Sequence, residues 1–123
     1  MKKILVVEDD RFLVNVLRLK FEKVGFEVEV AFGGAEAWEK LKAGNFGLVV
    51  LDLVMPVEDG FGVLARIRGE KPLAGLPVLV VSNLGQPEDI ERAMKLGANG
   101  YLVKTSVSIQ EIVDQAEKMV EES

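Results

Sequence analysis

The sequence contains neither cysteine nor histidine. Without cysteine the chain forms no disulfide and offers no thiolate to a metal ion. Without histidine it has no imidazole to act as a base and no histidine-bound zinc. Any catalytic or metal chemistry in this chain must therefore use carboxylates, hydroxyls, amides and lysines.

Long apolar runs and an excess of positive charge are also missing. No run approaches the roughly 20 apolar residues that cross a bilayer, and the first run, residues 4–7, ends at Glu8, too early for a signal peptide. The formal net charge is −5, which disfavours a broad nucleic-acid footprint because such a footprint needs a basic patch. We therefore expect a cytoplasmic protein that neither inserts into a membrane nor binds nucleic acid directly.

The 123 residues, of which 49% are hydrophobic, suit one compact domain over residues 1–123. Five short apolar runs alternate with amphipathic segments, and this order predicts an α/β fold with a parallel sheet covered by helices on both faces. The predicted strands are residues 4–7, 27–31, 48–51, 78–81 and 101–103. The predicted helices are residues 11–24, 35–42, 60–68, 87–96 and about 108–119.

Local signals support several helix ends. Gly25 follows the first predicted helix as a C-cap glycine would, and Pro87 suits the first turn of the fourth. Ser108 and Glu111 have the spacing of a capping box at the start of the fifth. These signals fix where the connecting loops begin.

Polar side chains follow the ends of four predicted strands. Glu8 and Asp9 follow the first strand, Asp52 the third, Ser82 the fourth and Lys104 the fifth. In folds of this class ligands bind beyond the carboxyl ends of the strands. Carboxylates crowded there would repel one another, and a hard divalent cation such as Mg²⁺, which accepts carboxylate oxygens and water, would relieve that repulsion.

The same group of residues suits phosphoryl transfer. A metal ion and Lys104 would neutralise the charge on the transferring oxygens, and the Asp52 carboxylate would be the nucleophile. Plainer roles exist for each residue: Asp10 caps the first helix as readily as it binds metal, and Asp52 suits a turn before Pro56. A common site nevertheless explains why four polar groups stand at the ends of four apolar strands.

Three segments resemble response-regulator receiver domains. They are residues 4–10 (ILVVEDD), residues 51–56 (LDLVMP) followed by Asp59 and Gly60, and residues 97–104 (GANGYLVK). They occur in the family's order, and the resemblance covers the whole chain. It implies a CheY-like, doubly wound (βα)5 flavodoxin-like fold with strand order 2-1-3-4-5; that order comes from the resemblance.

The resemblance also implies residue roles. Asp52 resembles the phosphoacceptor, Asp9 a direct Mg²⁺ ligand, Glu8 an acidic residue acting through water, and the Val54 backbone carbonyl the third protein ligand. The expected cofactor is Mg²⁺.

Three further residues resemble those that respond to the phosphoryl group. Ser82 resembles the hydroxyl residue that bonds a phosphoryl oxygen and moves on activation. Lys104 resembles the lysine that pairs with the phosphoryl group, and Tyr101 the aromatic switch residue. A histidine kinase or phosphotransfer protein would phosphorylate the chain, and the face formed by helix 4, strand 5 and helix 5 would then bind an unidentified target. The expected protein is a switch that assists its own phosphorylation and dephosphorylation, not an enzyme.

The sequence departs from the family pattern in three places. Thr105 follows Lys104 where many members have proline after a cis bond, and a cis bond before threonine costs about 3 kcal/mol. Asn83 stands where alanine or glycine is usual. Val54 and Leu84 occupy two positions that tune phosphate loss, and both are apolar, so we expect slow dephosphorylation.

Three other functions compete with this one. A haloacid-dehalogenase-like phosphatase needs a second aspartate two residues after the nucleophile, where this chain has Val54. A flavodoxin-like electron carrier needs a Ser/Thr/Gly-rich phosphate loop after strand 1, and this loop is acidic. The third is a receiver-like module that binds proteins without being phosphorylated; the intact site residues argue against it. We expect no output domain after the fifth helix, so that the chain would act by presenting a changed surface to a partner or by relaying phosphate.

Overall fold

The computed structural model describes residues 2–56 and 58–122, so Met1 and Ser123, the predicted ends of the domain, lie outside the described residues. Five parallel strands form one sheet in the order β2-β1-β3-β4-β5. The strands are β1 Lys3–Val7, β2 Glu27–Ala31, β3 Leu48–Leu51, β4 Val78–Ser82 and β5 Gly100–Val103. The doubly wound α/β fold and its strand order are therefore confirmed.

Five α-helices connect the strands. They are α1 Arg11–Lys23, α2 Gly34–Ala43, α3 Gly60–Gly69, α4 Pro87–Lys95 and α5 Ile109–Glu122. Two single turns of 3₁₀-helix, Lys71–Leu73 and Lys104–Ser106, precede β4 and α5. The predicted boundaries agree with these to within one residue, except that α5 continues three residues beyond its predicted end.

Strand side chains alternate between two cores, one on each face of the sheet. In β1, Ile4 and Val6 pack with α1 and α5, whereas Leu5 and Val7 pack with α2, α3 and α4. All four of these side chains are fully buried. Burying one such side chain stabilises the fold by roughly 1.5–3 kcal/mol, so both faces hold the sheet in a fixed register.

The loops at the carboxyl ends of the strands are fixed by local hydrogen bonds. Asp10 is the N-cap of α1, and its Oδ1 accepts from the backbone N–H groups of Phe12 and Leu13 at 3.0 and 3.2 Å. Ser108 and Glu111 form the expected capping box, with bonds of 3.0 and 3.1 Å. These caps hold the loops that carry the polar side chains.

Among residues 2–56 and 58–122, no helix is long and apolar enough to cross a membrane.

Candidate functional site

A crevice of about 300 Å³ opens where β1, β3, β4 and β5 end. It is lined by Glu8, Asp9, Asp10, Asp52, Val54, Asn83 and Lys104. The structure thus brings together the acidic residues and the lysine that the sequence singles out. Val54, which is 55% exposed, and the exposed Asn83 stand at its rim.

Asp52 lies at the centre of the crevice and is only 4% exposed. It follows β3 directly, and its backbone N–H donates to the Val7 carbonyl oxygen at 2.9 Å, which extends the pairing of β3 with β1. The loop after it folds back so closely that a Cβ at Gly60 would overlap the Asp52 carbonyl. Gly60 is therefore explained by packing against Asp52, since only glycine fits there, whereas Asp59 caps α3 by accepting from the Gly62 N–H at 3.0 Å.

Three carboxylates form a cluster around one point. Each of Glu8, Asp9 and Asp52 offers an oxygen within 4.8 Å of the others. Glu8 and Asp52 are buried and Asp9 is exposed, so the cluster opens to solvent on one side. An all-oxygen set that leaves room for water is what hard cations such as Mg²⁺ prefer. Asp10 also lines the crevice, but its Oδ1 binds two backbone N–H groups of α1, so the capping role is the one observed.

Lys104 enters the cluster from β5. Its Nζ lies 2.6 Å from Glu8 Oε1 and 3.6 Å from Asp52 Oδ2, and its side chain is 17% exposed. Lys104 begins the single 3₁₀ turn before α5, and every peptide bond between the described residues is trans, including the bond to Thr105. The lysine therefore reaches the acidic cluster through a loop with a trans Lys104–Thr105 bond, and not with the cis bond that the family resemblance implies before proline.

Burial and charge shift the pKa values of the two ion-pair partners. Burial, reinforced by the nearby charge of Asp52, raises the pKa of Glu8 to about 7, against the opposing effect of its hydrogen bond with Lys104. Burial by itself lowers the pKa of Lys104, but the hydrogen bond with Glu8 and the charges of Asp52 and Glu8 outweigh it and raise that pKa. The lysine thus stays protonated and supplies a fixed positive charge to the crevice.

Ser82 and Tyr101, the two predicted switch residues, both bind Leu84. The fully buried Ser82 accepts a hydrogen bond at Oγ from the Leu84 N–H at 3.2 Å. Tyr101 is half-buried, and its hydroxyl donates to the Leu84 carbonyl oxygen at 2.6 Å. The loop between β4 and α4 therefore connects the end of the acidic crevice to the aromatic ring on β5.

Sequence reasoning missed two contacts in this region. The direct ion pair between Glu8 and Lys104, at 2.6 Å, was not predicted, although the sequence places both residues at strand ends. The role of Leu84 was missed because it uses backbone atoms, which no side-chain pattern reports.

One family model and two solved structures match nearly the whole chain. The family model described as the response regulator receiver domain matches residues 4–117. The receiver domain of the Francisella response regulator 1452 is 31% identical and superposes with a TM-score of 0.90 over 99% of this chain and 98% of that one. The response regulator TrrA of Thermotoga maritima, solved in complex with Mg²⁺–BeF, is 29% identical, with a TM-score of 0.83 over 97% of this chain and 99% of that one.

A curated relative extends beyond the matched region. The probable transcriptional regulator ycf27 of Cyanophora paradoxa is 37% identical over 103 residues, which are 84% of this chain and 42% of that regulator. The chain spans less than half the length of the curated relatives it matches.

Proposed function

The chain belongs to the response regulator receiver domain family of two-component systems, and from that membership we propose that it is a signalling switch activated by phosphorylation of Asp52. The observation that carries the proposal is the position of a buried Asp52 carboxylate between two further carboxylates and a protonated lysine. Such a site places a negatively charged nucleophile beside a positive charge that would stabilise the phosphorylated product.

The donor set fits Mg²⁺. Asp9 and Asp52 would hold the ion through their carboxylates, Val54 through its backbone carbonyl, and Glu8 through a water molecule, since Glu8 is already engaged by Lys104. When bound, the ion supplies positive charge to the oxygens of the transferring group. The Mg²⁺–BeF complex of the Thermotoga relative supports this choice.

Asp52 acts as the nucleophile. One of its carboxylate oxygens forms a bond to phosphorus while the phosphorus–nitrogen bond of a phosphohistidine donor breaks, and the electron pair of that bond returns to the donor imidazole. Lys104 Nζ, already 3.6 Å from Asp52 Oδ2, neutralises the phosphoryl oxygens. The donor is a histidine kinase or a phosphotransfer protein, partners with which response regulators interact, and we place the reaction in the cytoplasm.

The phosphoryl group is sensed by Ser82. Its Oγ accepts a hydrogen bond from the Leu84 N–H in the structure, and a phosphoryl oxygen would be a strong, charged acceptor for the hydroxyl proton. Turning Ser82 toward that oxygen moves the Leu84 backbone, and Tyr101, bound to the same residue, moves with it. The face formed by α4, β5 and α5 then changes for an unidentified target. Receiver domains are signalling switches, and this one assists its own phosphorylation and dephosphorylation.

Intact-mass measurement tests the proposal. The wild-type chain, treated with acetyl phosphate and Mg²⁺, is expected to gain one phosphoryl mass, whereas Asp52→Asn is not. Asp114→Asn is the matched control, because Asp114 is an exposed carboxylate on α5 that binds Gln110. A phosphoryl gain by Asp52→Asn contradicts the assignment. A wild-type chain that gains no mass would instead support a receiver that binds proteins without phosphorylation.

A further inference from the structure

Arg68, near the end of α3, uses every donor of its guanidinium group. Nε and Nη2 donate to the Gly97 carbonyl at 3.0 and 2.7 Å, and Nη2 also donates to Asn99 Oδ1 at 2.8 Å. Nη1 donates to the carbonyls of Ala74 and Leu76 at 3.0 and 2.7 Å. Five bonds therefore join α3 to the segment before β4 and to the loop between α4 and β5.

Only arginine supplies this set of contacts. Its planar fork carries five N–H donors, whereas lysine has three donors on one point charge. The acceptors are backbone carbonyls and one amide oxygen, which the side chain reaches because Gly97 adopts φ +109°. A Cβ at Gly97 would lie 2.7 Å from Arg68 Nε, so both the conformation and the close approach require glycine.

Asn99 extends the same network to the sheet. Its Oδ1 accepts from the Val78 N–H at 2.8 Å as well as from Arg68, and its own N–H donates to the Val78 carbonyl at 2.9 Å. The loop that follows α4 is thereby fixed at the start of β4 and at the end of α3. This is a rigid attachment, because hydrogen bonds to a charged donor are stronger than neutral ones.

Helix α4 itself is held much less firmly. Ala93 is the only buried residue of α4, and the Gln86 side chain makes no N-cap hydrogen bond. Arg92 lies over the Phe61 ring, 4.0 Å from its centroid, in the second half of the helix. At the other end, the preceding loop is tied through Leu84 to Ser82 and Tyr101, the residues proposed to move.

We infer that Arg68 makes the C-terminal end of α4 a fixed pivot, so that switching displaces residues 84–90 and leaves residues 96–99 in place. The anchoring follows from the five hydrogen bonds; the displacement rests on the proposed function. A target that distinguishes the phosphorylated chain must then contact the N-terminal half of α4 and Tyr101. Contacts at the Gly97 end carry no information about phosphorylation.

Amide hydrogen exchange of the full chain tests the anchor without phosphorylation. The amides of Leu96, Gly97, Ala98 and Asn99 all donate to backbone carbonyls at 2.9–3.1 Å. Arg68→Ala and Arg68→Lys are both expected to speed their exchange at least about tenfold relative to α5 amides, because the loop loses its bonds to α3 and keeps those of Asn99 to Val78. Arg66→Ala is the matched control: its guanidinium, on the same helix, binds Glu58 and stacks on Trp38 instead.

Exchange in Arg68→Lys equal to that in the wild type overturns the requirement for five donors. If Arg68→Ala does not fold, Asn99→Ala, which removes one acceptor, is expected to give a smaller increase at the same amides, and no increase overturns the anchor.

A second arm tests the pivot with acetyl phosphate and Mg²⁺. Amide chemical-shift changes in the wild type are expected at residues 84–90 and Tyr101, with residues 96–99 changed far less; in Arg68→Lys they are expected to spread into residues 96–99. Equal changes at both ends of α4 in the wild type overturn the pivot. Absence of phosphoryl mass together with no shift anywhere overturns the proposed function and the pivot, while the anchor remains decided by the first arm.

Discussion

Lys104 is bound more closely to Glu8 than to Asp52. Its Nζ lies 2.6 Å from Glu8 Oε1, compared with 3.6 Å from Asp52 Oδ2. In the resting chain Glu8 therefore competes for the positive charge that the phosphoryl group is proposed to use. A phosphoryl group on Asp52 would share the three N–H donors of the Lys104 ammonium with Glu8.

Replacing Lys104 by methionine should destabilise the chain in the absence of Mg²⁺. Glu8 and Asp52, which are only 3% and 4% exposed, would remain close together with no cation between them. Loss of the partner of a buried charge costs about 3–5 kcal/mol. The loss is limited because Glu8, with a pKa of about 7, takes up a proton readily. Added Mg²⁺ should restore more stability to Lys104→Met than to the wild type. Urea unfolding with and without Mg²⁺ measures this, with the exposed Lys118→Met as control.

Lys104→Ala should reduce the response to phosphorylation more than the phosphorylation itself. The lysine is positioned to contact the phosphoryl group on Asp52, whereas the bond to phosphorus is made by the carboxylate. Intact mass reports uptake, and the amide shifts of Ser82 and Tyr101 report the response. A Lys104→Ala chain that takes up phosphate and shifts like the wild type would show that the lysine does not read the phosphoryl group.

Mg²⁺ should bind weakly to the unphosphorylated chain and perturb the amides near Asp9 and Asp52. The reason is the carboxylate cluster, whose oxygens lie within 4.8 Å of one another. Asp9→Ala should weaken binding at least about tenfold, since it removes a direct ligand at a cost of more than about 1.4 kcal/mol. Asp59→Ala, which removes the cap of α3 outside the crevice, should bind Mg²⁺ like the wild type. Unchanged amide spectra near Asp9 and Asp52 during the titration would rule out this metal site.

The hydroxyl of Tyr101 should titrate above its ordinary pKa. Burial raises the pKa, and the charge of Asp89 on α4 raises it further. The stabilisation that goes with this raised pKa is fully present at pH values below the pKa of tyrosine in the unfolded chain, about 10. That contribution is lost as the pH rises through the folded pKa. The stability advantage of the wild type over Tyr101→Phe, about 1 kcal/mol from the Leu84 hydrogen bond, should therefore shrink above about pH 10.

Tyr101 is the only tyrosine in the chain, so the rise in ultraviolet absorbance that accompanies tyrosinate formation reports the ionisation of this residue alone. Asp89→Asn should bring the pKa closer to the ordinary value, whereas Asp114→Asn on α5 should leave it unchanged. An ordinary pKa in the wild-type chain would show that the hydroxyl is not buried near Asp89 in solution as it is in the structure.

The sequence predicts those parts of the fold that depend on periodicity. The alternation of Ile4, Leu5, Val6 and Val7 between two cores requires apolar residues at every position, and such a run is visible without a structure. The gathering of Glu8, Asp9 and Asp52 follows from a rule about strand ends. That gathering also requires β1 to lie beside β3, and this strand order came from the family resemblance and not from periodicity.

Contacts between a side chain and distant backbone atoms could not be predicted in this way. The four acceptors of the Arg68 donors include the Gly97 carbonyl, 29 residues along the chain, and nothing in the local sequence pairs the two residues. The bond between Tyr101 and Leu84 has the same character. Such contacts depend on the turn geometry of loops, which is set only after the helices and strands have packed.

We expect this chain to lose its phosphoryl group slowly compared with other receiver domains, because the side chains at two positions that affect this loss, Val54 and Leu84, are apolar. Hydrolysis of an acyl phosphate needs a water molecule in line with phosphorus, opposite the aspartate oxygen. Val54, exposed at the rim of the crevice, and Leu84, half-buried after β4, offer no hydrogen bond to that water. Asn83 also lines the crevice, and its side-chain amide can hydrogen-bond a water molecule there instead.

The double change Val54→Asn with Leu84→Glu should therefore shorten the lifetime of the phosphorylated chain. One orienting hydrogen bond is worth about 1–2 kcal/mol of barrier, which corresponds to roughly tenfold in rate. At position 84 the variant changes the side chain and not the backbone, so the backbone hydrogen bonds of this residue with Ser82 and Tyr101 can persist. Loss of phosphoryl mass with time in Mg²⁺ buffer measures the decay, and Asn83→Ala is the companion variant. If the double variant decays no faster than the wild type while Asn83→Ala decays more slowly, Asn83 positions the water and the two apolar positions do not control the rate.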